Sequence, residues 1–514
     1  MESRGPGIKI ALETKCENCV RREQMPVNRE FAVQGRPQIR VLSDDQTYKI
    51  HLASLEILER TGVRVFNDEA IALLRTAGAD IVDQTLVRIP SYLVDEVLRT
   101  APKRVVLSDR NGNRSLFLEE LNPYFGGGTD TPNIMDPFSG KRRQAVKRDV
   151  KNAAVLCDYL PNINFVACMG IASDVDSATS DRHHFEQMVS NTIKPIMFTA
   201  WDREGLADIY EMCVAVAGNA ESFRRNPFVV LYAEPSSPLQ HSAEAIQKLL
   251  FCADKGIPVI YASGPGIGAQ APVTVAGATA LTNSEFLSGL VVSQLKRKGA
   301  PVIYGGSSSP MDMHTTVISY GGPAFWLNKL AVREMASYYK LPSFGTGGCS
   351  DAKVFDQQAA SEATSSLLLN AISGHSLIHD VGYLESGLTA CYEEIILADE
   401  VISEIRKFLK GINISDETLS VDVIDRVGPR GNFLSNKHTL KYFKEEIWYP
   451  EYFDRKNYDG WVKDGKKSLD KTLNEKVKWI LENHQPEPLD PSIRQAIREI
   501  VERADSNRSA TPKV

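Results

Sequence analysis

Five times the chain sets a proline immediately ahead of a short apolar run: Lys194-Pro195-Ile196-Met197-Phe198, Asn226-Pro227-Phe228-Val229-Val230, Ile257-Pro258-Val259-Ile260-Tyr261, Ala300-Pro301-Val302-Ile303-Tyr304 and Leu341-Pro342-Ser343-Phe344. Proline has no N–H to give a ladder, so it belongs at the first residue of a strand and not inside one. Residues 124–126, 163–168 and 376–380 extend the series to eight. Most of these runs are nearly continuously apolar, as in parallel strands covered on both faces. Helical patterns separate them: Leu206, Ile209, Cys213 and Val216, then Ala243, Ile246, Leu250 and Ala253, follow a period of 3.6, and Gly256 and Gly299 stop helices just before strands. The alternation predicts an α/β fold, a (β/α)8 TIM-type barrel over residues 122–410. The alternative is an open doubly wound sheet.

The flanks read differently. Residues 1–40 carry Gly, Pro and scattered charge and are expected to be a flexible extension; Cys16 and Cys19 there form a lone pair, short of the four ligands of a structural zinc. Residues 41–121 read as a small α+β region. Ser43 opens a helix over Leu52, Leu55 and Leu58, Asn67 opens a second that stops at Gly78, and Asn111-Gly112-Asn113 turns a hairpin. Residues 411–514, with Trp448, Trp461 and Trp479, read as a helical extension that wraps the barrel or builds an oligomer contact, and a homo-oligomer is expected. The net charge of -6 provides no basic field for nucleic acid. No apolar run reaches the roughly 18 residues of a membrane span. The eight sparse cysteines and the absence of a signal-like start place the expected setting in the cytoplasm.

Barrel enzymes react at the carboxyl ends of their strands. Those ends hold Gly126-Gly127-Gly128, Met169, Trp201-Asp202, Tyr232 with Glu234, Tyr261 with Ser263, Tyr304 with Ser307, Phe344 with Thr346, and His379-Asp380. No strand core contains a lysine, which disfavours Schiff-base chemistry. His379, Asp380, Glu234 and Cys349 could converge on a metal, but no pair has a recognised ligand spacing, so none is expected. The aromatic residues stand out: Tyr232, Tyr261 and Tyr304 on three consecutive strands, with Trp201 and Phe344 in the same layer. Such rings either fill the barrel or, beside Glu234 and Asp202, receive a cation. Gly264-Pro265-Gly266-Ile267-Gly268 lacks dinucleotide-binding spacing and reads as a loop over the mouth.

Several separated motifs resemble the trimethylamine methyltransferase family. They are Gly347-Gly348-Cys349-Ser350-Asp351-Ala352-Lys353 followed by Asp356-Gln357-Gln358-Ala359 and Glu362; His379-Asp380-Val381-Gly382-Tyr383-Leu384-Glu385-Ser386-Gly387-Leu388-Thr389 leading to Asp399-Glu400; and Val427-Gly428-Pro429-Arg430-Gly431-Asn432-Phe433-Leu434 with His438-Thr439. The resemblance implies a (β/α)8 barrel that passes a methyl group from a methylated amine to the Co(I) corrinoid of a separate protein. Trimethylamine enzymes of the family carry pyrrolysine. This sequence has only standard residues and resembles the branch without it, whose known substrates are quaternary amines such as glycine betaine, proline betaine, carnitine and γ-butyrobetaine.

A quaternary ammonium already bears an activated methyl group and leaves as a neutral amine, so positioning and desolvation suffice. Position at the carboxyl ends of strands, and the need of an ammonium for ring faces, place the site on Tyr232, Tyr261 and Tyr304 as cage walls, with Trp201, Phe344 and Asp380 beside them. Glu234 is the expected anionic partner. His379, or else Arg203, is the expected anchor for a substrate carboxylate. Asp312-Met313-His314-Thr315-Thr316-Val317 approaches a corrinoid-binding Asp-x-His-x-x-Gly but lacks the glycine. The cob(I)alamin-type cofactor is therefore expected on a cognate corrinoid protein docking at the barrel's open face. Two other functions remain open: a non-catalytic quaternary-amine binding protein and a metal-dependent barrel lyase.

Overall fold

The eight expected strands form one parallel sheet: β1 (Tyr124–Gly127), β2 (Val166–Ala167), β3 (Ile196–Phe198), β4 (Val229–Ala233), β5 (Val259–Ser263), β6 (Val302–Gly306), β7 (Ser343–Thr346) and β8 (Leu377–Val381). This computed structural model describes residues 36–119, 121–306 and 308–509, the side chains of 508 and 509 excepted; Cys16, Cys19 and Ser307 lie outside them. The strand order is β1-β8-β7-β6-β5-β4-β3-β2. A parallel bridge between Gly126 and Phe165 joins the two ends and closes the barrel. Glycine is required at that seam, because a Cβ on Gly126 would lie 2.4 Å from the Phe165 ring.

A helix follows each strand: α1 (Lys147–Tyr159), α2 (Ser180–Ser190), α3 (Arg203–Ala217), α4 (Ala243–Lys255), α5 (Val275–Lys296), α6 (Pro323–Tyr338), α7 (Gln357–Ser373) and α8 (Tyr392–Leu409). Local chemistry sets their ends. The Ser242 side chain accepts from Ala245 N at the start of α4, and Gly256 closes it at φ 77°. Asp356 accepts from Gln358 N and Ala359 N at the start of α7. From Ala278 to Gln294, α5 is buried around its whole circumference, because the barrel covers one side and the amino-terminal helices Asp44–Glu56 and Ser91–Thr100 cover the other.

The expected hairpin is present at Val105–Ser108 and Arg114–Leu118. It plugs the amino-terminal end of the barrel. Leu107, Leu116 and Leu118 pack against Met197, Val230, Ile260, Ile303 and Leu377 of the interior. Ser108 N donates to Pro227 O at 2.8 Å and Arg110 N to Ile193 O at 2.8 Å, both just ahead of strands. The interior is thus shut at one end, and only the carboxyl ends of the strands remain open. After α8 the chain is helical, and Leu469–Asn483 and Pro491–Ser509 return to the barrel wall. No helix of the described residues is long and apolar enough to cross a membrane.

Candidate active site

Strand alternation sorts the expected site residues. Val230 and Tyr232 of β4, Ile260 and Ala262 of β5, Ile303 of β6, Phe344 of β7 and Leu377 of β8 share the barrel interior. Tyr261 and Tyr304 fall on the other parity and point out toward α5. The Tyr261 hydroxyl lies 2.6 Å from His241 Nδ1, and its ring fills the space above Gly289. The Tyr304 hydroxyl donates to Asn283 Oδ1 at 2.8 Å, and its ring packs on Phe286 at 4.1 Å between centroids. The expectation that these two tyrosines wall a cage is therefore corrected: they belong to the barrel–helix layer. Their inward neighbours are Ala262 and Gly305, paired in register, which leave room inside.

Tyr232 spans that room. Its ring centroid lies 5.5 Å from Phe344 and 5.9 Å from the His379 imidazole, and Phe344 and His379 are 4.0 Å apart. These three rings make an aromatic floor across the upper barrel, formed by β4, β7 and β8. Above it, Glu234 follows the end of β4 and accepts a short hydrogen bond from the Tyr232 hydroxyl. Glu234 reaches solvent at the mouth, yet protein crowds its carboxylate. Burial raises its proton affinity, opposed by the Tyr232 hydroxyl, His379 and Lys329, while Asp380 adds to the rise.

His379 donates through Nδ1 to Gly345 O at 2.9 Å, and its Nε2 lies 2.9 Å from Asp380 Oδ1, an ion-pair distance out of line for a hydrogen bond. Nδ1 is thus taken by the backbone, while Nε2 faces the Asp380 carboxylate, whose negative charge works against a substrate carboxylate at that edge of the ring. Asp380 sits at φ 75°, a strained conformation for a residue with a Cβ. Its Oδ1 and the nearby Thr346 Oγ1 are buried with no hydrogen-bond partner among the described residues. Polar atoms left in that state at the open end of a barrel point to a ligand.

Lys329 was not among the expected residues. It lies on α6, fully buried, with Nζ donating to Gly306 O at 3.0 Å and standing 5.0 Å from the Phe325 ring centroid. Burial pulls its ammonium down to about 7, against Asp380, Cys349 and Glu234, which favour the charge. It comes from a helix, so the residues of the strand cores do not reveal it. The available signal was its spacing, four after Phe325 and three before Val332, on the buried face of α6.

The motif residues around Asp351 organise the rim. Asp351 accepts from Ser319 Oγ at 2.6 Å, Tyr320 N at 2.7 Å, Gly321 N at 3.0 Å and Ser386 Oγ at 2.7 Å, tying the loop before α6 to the loop after β8. Burial works against ionisation there, but these four bonds outweigh it and hold the carboxyl below its usual range. Glu362 in turn accepts from Ser350 Oγ at 2.6 Å and Asp351 N at 2.8 Å. The loop so held carries Tyr320, stacked on Phe325 at 4.9 Å. At β1, Gly128 makes way for Tyr383, whose ring would lie 1.9 Å from a Cβ there.

Other expected residues stand apart. Trp201 is half exposed at the mouth, its indole donating to Ser180 Oγ at 2.9 Å. Asp202 caps α3 by accepting from Gly205 N at 2.8 Å, and Arg203 is exposed on the first turn of that helix. The glycine-rich segment after β5 is a loop, as expected, bridged through Ile267 to Pro310. His314 stands exposed in a turn closed by Asp312, which accepts from His314 N and Thr315 N. The residues first considered for a metal, Cys349 with His379, Asp380 and Glu234, do not close into one cluster. Among the described residues Asp130, Cys168 and His184 do, with ligand atoms within 4.8 Å of one another. Each already has a protein partner: Thr199 Oγ1 donates to Asp130 at 3.2 Å, Cys168 Sγ to Gly170 O at 3.1 Å, and Ala172 N to His184 Nε2 at 3.0 Å.

Comparison with known proteins agrees with the motifs. Residues 14–508 match the model of the family described as Trimethylamine methyltransferase (MTTB). A trimethylamine methyltransferase of Desulfitobacterium hafniense is 34% identical over 464 residues, covering 90% of this chain and 93% of that one. A glycine betaine methyltransferase from another strain of the same species is 29% identical over 461 residues, covering 89% and 95%. Among solved structures, the monomethylamine methyltransferase of Methanosarcina barkeri superposes with a TM-score of 0.50 at 11% identity, covering 87% of this chain and 88% of that one, which shows the shared fold alone.

Proposed function

The chain belongs to the trimethylamine methyltransferase (MTTB) family and is a methyltransferase, and from that premise we propose that it demethylates a small quaternary amine, glycine betaine or a close analogue, for a partner corrinoid protein. The observation that carries this reading is the aromatic floor of Tyr232, Phe344 and His379 beneath the carboxylates of Glu234 and Asp380. Ring faces and a counter-charge are what a quaternary ammonium needs, worth roughly 0.5–2 kcal/mol per ring as water is excluded. The name of the glycine betaine relative supports the substrate class, and the wholly standard residue content of this chain agrees with a substrate that needs no covalent activator.

Tyr232 and Phe344 hold the ammonium, Glu234 and Asp380 balance its charge, and the plugged floor of the barrel leaves the N-methyl group facing the mouth. The corrinoid of the partner, when docked there, supplies the Co(I) nucleophile that takes the methyl group. The open carboxyl end, with exposed Trp201 at its edge, is where these residues leave room for it. Because the nitrogen loses its charge as the methyl departs, Glu234 and Asp380 must hold the cation only moderately; tighter binding would raise the barrier. The test is a panel of glycine betaine, carnitine, proline betaine and trimethylamine with cob(I)alamin, read by the absorbance change on methylation. A quaternary amine should react. Reaction of trimethylamine alone would overturn the substrate assignment, and ammonium binding with no methyl transfer would leave a binding protein.

A further inference from the structure

A betaine carries two charges, and the rings beneath Glu234 and Asp380 answer only its ammonium. The carboxylate needs a donor, and the two residues expected to give one do not. His379 Nε2 faces Asp380 at 2.9 Å, and Arg203 is exposed on the first turn of α3. A different cation, Lys329, comes to the same end of the barrel from α6. Its Nζ donates to Gly306 O at 3.0 Å, at the last residue of β6. An ammonium has three N–H groups, and among the described residues this bond is the one it makes. The Phe325 ring, 5.0 Å away, offers its face and no lone pair. The side chain is fully buried, so its other donors call for an acceptor that the fold does not supply.

Thr346 repeats this condition on the adjacent strand. It ends β7, which pairs with β6 through Phe344 and Gly305. Its Oγ1 is buried with no hydrogen-bond partner among the described residues, and it shares the inward parity of Phe344. Adjacent strands lie about 4.8 Å apart, so the hydroxyl and the ammonium stand at one corner of the mouth. The inward positions beside that corner are Ala262 and Gly305, which leave room between it and the ring of Tyr232. Asp380, Cys349 and Glu234 all act on Lys329 in favour of its charge, so the carboxylates that face the substrate's ammonium lie within electrostatic reach of it.

We propose that Lys329 Nζ, with Thr346 Oγ1, forms the carboxylate subsite of this chain, so that the substrate's ammonium rests on Tyr232 and Phe344 while its carboxylate turns to the ends of β6 and β7. The proposal rests on the quaternary-amine reading above and narrows it to zwitterions. An N-methylated amino acid is taken, and choline or tetramethylammonium, which lack a carboxylate, are passed over. Glu234 and Asp380 complement one end of such a ligand and Lys329 the other. A bare cation would fill the site and still leave the ammonium and the hydroxyl unmet, and a site built to hydrogen-bond its ligand discriminates most strongly against an analogue that cannot answer.

Calorimetric binding to the full chain, with glycine betaine, choline and tetramethylammonium as probes and no cobalamin added, tests this apart from methyl transfer. The parent should bind glycine betaine about tenfold or more tightly than either bare cation. Lys329→Met keeps the stem and removes the charge; it should lower the ratio of betaine to tetramethylammonium affinity by about tenfold or more. Thr346→Val keeps the shape and removes the hydroxyl, and should lower the same ratio by about fivefold. A residue that only supports the fold would move both affinities together, so the ratio is the readout. The parent panel and Thr346→Val decide the matter even where Lys329→Met does not fold. An unchanged ratio in the folded variants, or a parent that binds the bare cations as tightly as the betaine, would overturn the carboxylate subsite and leave the quaternary-amine reading standing. Binding of none of the three would overturn that reading, and the subsite with it.

Discussion

A tyrosine at the end of a barrel strand touches substrate only if its ring turns inward, and one position along the strand decides this. Tyr232 turns in and bonds Glu234, whereas Tyr261 and Tyr304 turn out to His241 and Asn283. Replacing Tyr232 by leucine should therefore raise the Michaelis constant for a quaternary amine about tenfold, the loss of ~1–2 kcal/mol of ring–cation attraction. Tyr304→Phe should leave that constant unchanged and cost about 1–3 kcal/mol of stability, because Asn283 loses a buried hydrogen bond. Steady-state kinetics beside urea unfolding separates the two, and a kinetic defect in Tyr304→Phe would return that residue to the site. The parity was not legible beforehand for a physical reason: β5 and β6 are apolar on both faces, so no alternation of polarity marks the inside. Lys329 makes the other residue-scale prediction. With its ammonium near pH 7 in the folded chain and at its usual value near 10.5 when unfolded, the unfolded chain holds the extra proton between those limits. Stability should then rise with pH across that window. Lys329→Met removes the effect, so its stability relative to the parent should improve as pH falls from 10 to 7, by up to roughly 4 kcal/mol. A constant difference at pH 7, 8.5 and 10 would show that Lys329 does not titrate there.

At the scale of elements, eight strands could be read from proline positions and apolar runs because those signals are local. Each proline marks where a ladder begins, and α3, α4 and α7 are each started by a capping side chain and stopped by a glycine next to them in sequence. What joins one βα unit to the next is not local. Asp351, placed after β7, holds Tyr320 from the loop before α6 and Ser386 from the loop after β8, and no spacing in the chain announces that junction. The family-like motif around it thus holds the rim in place, and at its start Gly347 N donates to His379 O at 2.9 Å, on the strand that carries one ring of the aromatic floor. Asp351→Ala should free two loops at once. Faster hydrogen exchange at residues 319–321 and 385–388 is expected, with turnover falling at least tenfold as the rim loses its geometry. Asp351→Asn, which keeps an acceptor for Ser319 or the backbone, should recover part of both. Full activity in the alanine variant would show that the loops keep their positions without the carboxylate.

The whole molecule separates its tasks along the barrel axis. The hairpin Val105–Ser108 and Arg114–Leu118 seals one end, and the residues that follow α8 fold back onto its last turns through Ser403 and Lys407. Glu234, Asp380 and the open mouth lie at the other, where substrate and a corrinoid partner would enter.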